Sequence, residues 1–439
     1  MSGTASALLG FVAMLVLIGI RMPVGLAMLA VGTAGYVHLT SGAAFLAYMK
    51  TTPYFLFANY TISVVPLFVL MGAVAERSGL ARDLFTAASA WLGHRRGGLA
   101  MAVIGACTGF GAICGSSVAT TATFGRAALP ELRRYRYSDA LATGTIAVGG
   151  TLGILIPPSV ILVVYAISTE QNIVKLFQAA LIPGLLATTF YCLVIAVLVR
   201  RDPAAGPAHA PVPREKRWPA LRAVWPTLVV AVVVLGGIYG GIFTPTEGAS
   251  VGAAAMLAVG FGTRRLDGPG FLESLRITAE TSALIFMILL GAEVFNAFLA
   301  LSQLPTAIAE WITGLGLAPL AVVALLLLSY ILLGAVMDEL AMILLTLPIF
   351  FPVVSALDFG LTTEEVAIWF GILVLIVVGI GLTAPPIGLN VFVVSAIARD
   401  VPIAQTYRGV LPFLVADIAR LLLVLFVPGL ALWMVRWLS

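Results

Sequence analysis

The sequence predicts an all-α polytopic membrane protein, a single membrane domain over 1–439, arranged as an inverted repeat with two re-entrant helical hairpins and two Pro-Pro-broken helices. Three observations predict it: the composition, the positions of the arginines, and a set of short motifs that occurs twice. The composition is 61% hydrophobic and 10% charged over 439 residues, with mean hydropathy +1.09. Soluble domains run at about half apolar and a quarter charged. No polar stretch exceeds roughly 20 residues, so no separate soluble domain is expected. The net charge of +4 reads as arginine gathered in cytoplasmic loops, not as a nucleic-acid surface.

Apolar runs of about 20 residues, enough to cross about 30 Å of hydrocarbon, place helices near 5–21, 24–40, 60–77, 140–168, 177–199, 223–243, 247–263, 280–302, 365–397 and 410–435. The stretch 42–58 is ambiguous. The first run lacks a basic region before it and a small-residue cleavage site after it, so it reads as a membrane helix and not a cleaved signal. Cys107, Cys114 and Cys192 fall in apolar segments, where a thiol behaves as a small hydrophobe. Two further apolar segments, 97–132 and 317–356, are interrupted by small or acidic residues. Each fits either two full helices or one re-entrant hairpin.

Lys and Arg in short loops mark the cytoplasmic side. The loop 200–222 carries Arg200, Arg201, Arg214, Lys216, Arg217 and Arg222, which sets it inside. Counting back, Arg133, Arg134 and Arg136 are also inside, and Arg95 and Arg96 on the other flank of 97–132 are equally basic. No Lys or Arg occurs between Arg276 and Arg399, while Glu310, Asp358, Glu364 and Glu365 flank 317–356. Both ends of the first segment therefore face the cytoplasm and both ends of the second face outside. Each is a hairpin or a helix pair, and the two enter from opposite sides.

The halves also match in sequence. Gly153-Ile154-Leu155-Ile156-Pro157-Pro158-Ser159 corresponds to Gly381-Leu382-Thr383-Ala384-Pro385-Pro386-Ile387, Gly111-Ala112-Ile113 to Gly334-Ala335-Val336, and Ile182-Pro183 to Leu411-Pro412, at offsets of 228, 223 and 229 residues. The first repeat is then 60–199, with hairpin 97–132 and broken helix 140–168. The second is 280–435, with hairpin 317–356 and broken helix 365–397. Inverted repeats with interrupted helices meeting near the midplane are the plan of secondary transporters.

The polar residues of these elements are the candidate site. The first hairpin turns at Cys114-Gly115-Ser116-Ser117, and a turn at membrane depth persists only where it lines a cavity or is buried in protein. Its hydroxyls and carbonyls offer oxygens to a hard cation, although small residues also serve helix packing. The second hairpin carries Asp338 and Glu339. Carboxylates at membrane depth are functional candidates by default, and the repeat aligns Asp338 with the first tip; an exposed loop between two ordinary helices is the alternative. Proline cannot donate a backbone hydrogen bond, so each Pro-Pro frees carbonyls for a cation and leaves a half-helix N-terminus for an anion. Ser159 adds an oxygen to the first break, and Thr383 and Asn390 to the second. Glu247 in Thr244-Pro245-Thr246-Glu247 reads as a helix cap. Glu293, Asn296 and the scattered His38, His94 and His209 receive no catalytic role.

Pro66 to Gly72, Gly111 to Thr121, Gly150 to Ser159, Phe243 to Gly248 and Gly381 to Asn390 together resemble, in order and over the full length, the large membrane subunit of tripartite ATP-independent periplasmic (TRAP) transporters of the C4-dicarboxylate type. The resemblance implies an elevator-type transporter of the ion transporter superfamily kind, in the bacterial inner membrane. It implies import of small organic acids with sodium as coupling ion and no other cofactor. It implies two partners, a small four-helix membrane subunit and a periplasmic substrate-binding protein. By motif, sodium would lie at Ser116 and Ser117 with Gly153 and Pro157, and at Asp338 with Thr383, Pro385 and Gly388. The substrate carboxylate would lie near Ser117, Ser159 and Asn390. Cys114 stands where family members often have Ser.

Other classes fit less well. The only lysines, Lys50, Lys175 and Lys216, close no phosphate-binding loop, and an intramembrane enzyme would need a base and nucleophile at depth. A channel needs no hairpin that closes over a substrate. Among transporters, a stand-alone sodium-coupled dicarboxylate or citrate carrier is the remaining alternative.

Overall fold

In hydrocarbon the backbone must satisfy its own hydrogen bonds, so the spans are expected to be helical. The computed structural model describes residues 2–335 and 337–438, with Thr313 described by its backbone alone. It has no strand among the described residues. A first group comprises α1 (Gly3–Gly19), α2 (Val24–Leu39), α3 (Gly42–Phe57), α4 (Val64–Arg77) and α5 (Leu80–Leu92). The first half continues with α6 (Gly98–Cys114), α7 (Ser117–Arg134), α8 (Asp139–Leu155), α9 (Val160–Thr169) and α10 (Ile173–Arg201). Next come α11 (Arg214–Tyr239), α12 (Pro245–Gly262), α13 (Gly268–Ser302) and α14 (Leu304–Gly314). The second half has α15 (Pro319–Gly334), α16 (Glu339–Ser355), α17 (Thr363–Gly381), α18 (Leu389–Ile397), α19 (Ile403–Phe426) and α20 (Gly429–Leu438).

Local chemistry sets the starts and stops. The segment after Phe243 begins α12 with a capping box, in which the Thr244 hydroxyl accepts from the Glu247 amide and the Glu247 carboxylate accepts from the Thr244 amide. Thr362 and Glu365 repeat the device at α17. Six helices are long and apolar enough to cross a membrane among the described residues, and the pair α8 and α9, bent by 43°, makes a seventh. Helices apolar on every side belong in an interior. Accordingly α8 is buried from Leu141 through Leu155, and 89% of the apolar window of α17 is buried.

The structure corrects several sequence boundaries. The run 410–435 is two helices, because Pro428 follows Val427 and cannot continue the ladder of α19. The loop 200–222 shortens to 202–213, since α10 runs through Arg201 and α11 starts at Arg214. The run 280–302 starts earlier, at Gly268, where the Asp267 side chain caps α13. The ambiguous stretch 42–58 is helix α3, with no buried residue. Helices α5 and α14 were not expected. Arg82 and Asp83 interrupt the apolar run in the sequence but not α5 itself, which is amphipathic, burying Leu84 and Phe85 while Asp83 pairs with Arg265.

The two halves follow one plan. Helices α6 and α7 form a helix-turn-helix that packs on α8, and α15 and α16 form another that packs on α17. The break between α8 and α9 spans 156–159 and that between α17 and α18 spans 382–388, and both Pro-Pro bonds are cis. Each half-helix beyond a break then crosses to the other half: α9 packs on α16 and α17, and α18 on α7 and α8. A Cβ added to Gly111 would lie 3.2 Å from Cα of Gly153, and one on Gly381 would lie 2.8 Å from Cα of Gly334. The same pair of matched glycines thus makes the same close contact in each half. Val336, the last residue of that motif match, lies outside the described residues.

Depth distinguishes a re-entrant hairpin from a helix pair. The first tip, at Gly115, meets the chain at Pro158, where an added Cβ would lie 2.8 Å from the Pro158 carbonyl oxygen. Beyond that level α9 continues for ten residues, about 15 Å at 1.5 Å per residue. The tip therefore stops well short of the far end of the span beside it.

Candidate functional site

Both tips open onto one cavity of about 130 Å³. Gly115 and Ser116 of the first tip and Glu339 and Leu340 of the second form its walls, with Glu76 of α4 and Thr281 of α13. Val160 and Ile161, the first two residues of α9, complete that side. Three helix N-termini consequently converge on the space: α7 behind its cap Ser116, α9 behind Ser159, and α16 behind Asp338. Helix N-termini carry partial positive charge and free amides, which suits a carboxylate. Hydroxyl and carboxylate oxygens on the same walls suit a hard cation. Arg126 holds Glu76 at 2.8 Å, balancing one of the two acids. An oxygen of Glu339 is buried without a hydrogen-bond partner.

Of the first predicted cation set, the structure places Gly153 directly against Ser116. A Cβ on Gly153 would lie 2.5 Å from the Ser116 carbonyl oxygen, and that oxygen also accepts from the Thr120 hydroxyl at 2.7 Å. Gly115 can hold the turn because its φ of +64° lies in the left-handed region that lacks a penalty only for glycine. Pro157 is buried with the rest of the break.

The predicted substrate set is fully buried: Ser117, Ser159 and Asn390 have no exposed surface. The Asn390 amide donates to the Ser117 hydroxyl at 2.8 Å and to the Ala147 carbonyl at 3.1 Å, tying α18 to α7 and α8. Its own carbonyl oxygen is buried without a partner. None of the three lines the cavity between the tips.

The second predicted cation set is more open. Asp338 is exposed and caps α16, accepting from the amides of Leu340 and Ala341. Pro385 is exposed, and Tyr407 donates to the carbonyls of Pro386 and Ile387 at 2.8 and 2.7 Å. Thr383 is buried and bonds back to the carbonyls of Gly379 and Ile380. Gly388 caps α18 with φ +54°. Among the described residues no hydrogen bond joins Asp338 to Thr383 or Gly388. It is Glu339, not Asp338, that faces the first tip across the cavity.

Sequence reasoning missed Glu76, Thr281 and the buried ion pair Asp417 and Arg420. Glu76 stands at the end of an apolar run and reads there as an ordinary helix terminus. The pair sits inside the run 410–435, where an acid and a base three apart on one helix face were the available signal. A further link between the halves is surface-exposed: Arg133 of α7 bonds Asp400 at 2.9 Å and holds that carboxyl below its usual range.

Comparison with known proteins agrees with this architecture. The chain is 37% identical over 383 residues to the C4-dicarboxylate TRAP transporter large permease protein DctM of Pseudomonas aeruginosa, covering 87% of each. It is 31% identical over 431 residues to the isethionate TRAP transporter permease protein DctMQ of Oleidesulfovibrio alaskensis, covering 97% of this chain but 65% of that longer protein. The crystal structure of the YdaH transporter of Alcanivorax borkumensis shares the fold with TM-score 0.62 at 16% identity, covering 89% of this chain and 90% of that one. Because the family described as the DctM component of the tripartite ATP-independent periplasmic transporter matches residues 11–430, the chain belongs to that family, as a multi-pass large permease.

Proposed function

We propose that this chain is the sodium-coupled permease subunit of an elevator-type importer in the bacterial inner membrane, moving small organic acids delivered by a periplasmic binding protein. The observation that carries the reading is the convergence of three helix N-termini on one cavity whose walls also hold hydroxyl and carboxylate oxygens. An organic anion and a hard cation can be held side by side there, each screening the other in a low-dielectric site. Relatives named for C4-dicarboxylates and for isethionate both carry organic anions, which supports the substrate class. The longer DctMQ relative extends beyond the matched region, which supports a further membrane component; we assign it to a small four-helix subunit. The two hairpins, packed on the two broken helices, are the elements that would move together across the membrane.

Reconstitution tests this reading. Uptake into proteoliposomes is expected only when the small subunit, the binding protein and an inward sodium gradient are all supplied. Uptake by this chain alone would instead favour a stand-alone carrier, and equal uptake driven by protons without sodium would remove sodium as the coupling ion.

Asp338 provides a sharper test of the second cation set. Asparagine caps helices about as well as aspartate, so Asp338→Asn is expected to keep the folded yield of the chain. Uptake per folded transporter should fall by at least ten-fold, because the amide loses the charge that a cation needs. Unchanged uptake would take Asp338 out of the site.

A further inference from the structure

Arg420 and Asp417 of α19 lie within the membrane domain, each about 1% exposed, and their side chains meet at 2.7 Å. The Tyr191 hydroxyl of α10 donates to both Asp417 oxygens at 2.8 and 3.0 Å. On its other side Tyr191 lies 3.1 Å from the hydroxyl of Thr151 on α8. Arg420 also reaches toward the Pro183 carbonyl of α10 at 3.5 Å. A buried charge pair is costly to form and is weak evidence for stability by itself, and intramembrane ionisable residues are functional candidates by default. The cavity between the hairpin tips does not include any of these four residues.

Their positions in the repeat say what they do. At the offset of 229 that relates Pro183 to Pro412, Tyr191 corresponds to Arg420 and Thr188 to Asp417. At the offset of 228 that relates the two breaks, Thr151 corresponds to Gly379. A Cβ on Gly379 would lie 3.6 Å from the Thr151 Cβ, so these equivalent positions touch. Residues that touch their own counterparts lie at the internal two-fold axis. Thr151 therefore sits where α8 and α17 meet, and the bonds from Tyr191 to Asp417 join it to a helix of the other half. Thr151 is also two residues before Gly153, whose backbone packs against Ser116 at the first predicted cation set.

We propose that Thr151, Tyr191, Asp417 and Arg420 form a positioning network that reaches this axis at Thr151, holding the first Pro-Pro break in its cation-binding geometry and keeping it in register with the second half. The proposal rests on the sodium reading above. Arg420 holds Asp417, Asp417 fixes the Tyr191 hydroxyl by a charge-assisted bond, and Tyr191 in turn holds Thr151 near the C-terminal end of α8. The charged pair is thus the anchor, and Thr151 is the point at which it acts on the break.

The test is the sodium dependence of uptake by the complete transporter carrying Tyr191→Phe, Thr151→Val or Thr151→Ser, with melting of the purified chain measured beside it. Tyr191→Phe keeps the ring and its edge contact with Phe413 but removes the hydroxyl. Tyr191→Phe and Thr151→Val are each expected to raise the half-saturating sodium concentration about five-fold, the effect of one hydrogen bond on an equilibrium. Maximal rate should change less than two-fold, and Thr151→Ser should stay near the unaltered chain. A lowered melting temperature with unchanged half-saturation would leave the network a purely structural pin and overturn the proposal. If the unaltered transporter shows no sodium dependence, the sodium reading itself falls and takes this proposal with it.

Discussion

Arg420→Met is expected to destabilise the chain by about 3–5 kcal/mol, the cost of leaving a buried carboxylate without its partner. Asp417 is about 1% exposed and keeps only the Tyr191 hydroxyl when the guanidinium is gone. Methionine fills much of the arginine stem's volume, so the loss reports charge and not a cavity. The double variant Asp417→Asn with Arg420→Met should recover most of the stability, since no uncompensated charge remains. Melting of the detergent-solubilised chain and its monodisperse yield measure both. If the single variant melts with the double, the pair is not the anchor of its network.

The second large effect is expected at the first hairpin tip. Gly115 combines a φ of +64° with an added-Cβ distance of 2.8 Å to the Pro158 carbonyl. Valine there meets two penalties: about 1–2 kcal/mol for a left-handed conformation at an L-residue, and displacement of the tip from the break. Gly115→Val should therefore lower uptake per folded transporter by more than ten-fold. Gly105→Ala on the same helix, with nothing within 4 Å of the added carbon, is the control and should transport normally. Equal uptake by the two variants would show that the tip need not sit against Pro158.

These two sites differ in how far the sequence reveals them. The Gly115 turn is legible because it interrupts an apolar run with small residues and because a counterpart at matched spacing follows in the second half. The break at Pro157-Pro158 is legible for a chemical reason, since two consecutive residues without amide protons cannot sit inside a regular helix. Asp417 and Arg420 are written in the sequence as plainly as either, yet their partner Tyr191 lies 226 residues from Asp417. Nothing in local spacing says that α10 and α19 meet. Asp338 and Glu339 show the same limit at closer range. Adjacent carboxylates have one local pattern, and only packing exposes the first as a helix cap while turning the second toward the other tip.

The boundaries tell a similar story. Apolar length finds the spans but not the ends: Pro428 divides a run that hydropathy joins, and α5 escapes because its apolar stripe is shorter than a membrane is thick. By itself the sequence determined the membrane class, the duplicated hairpin and break, and the opposite charge of their flanks. These follow from hydration cost, proline chemistry and the placement of arginine, each local to the chain. The tertiary structure alone decided that three helix N-termini share one cavity, that Asn390 is spent on Ser117, and that a buried charge pair on α19 bonds Tyr191 of the other half. Such facts depend on contacts across more than two hundred residues, where the energy belongs to the pair and neither partner's neighbourhood records it.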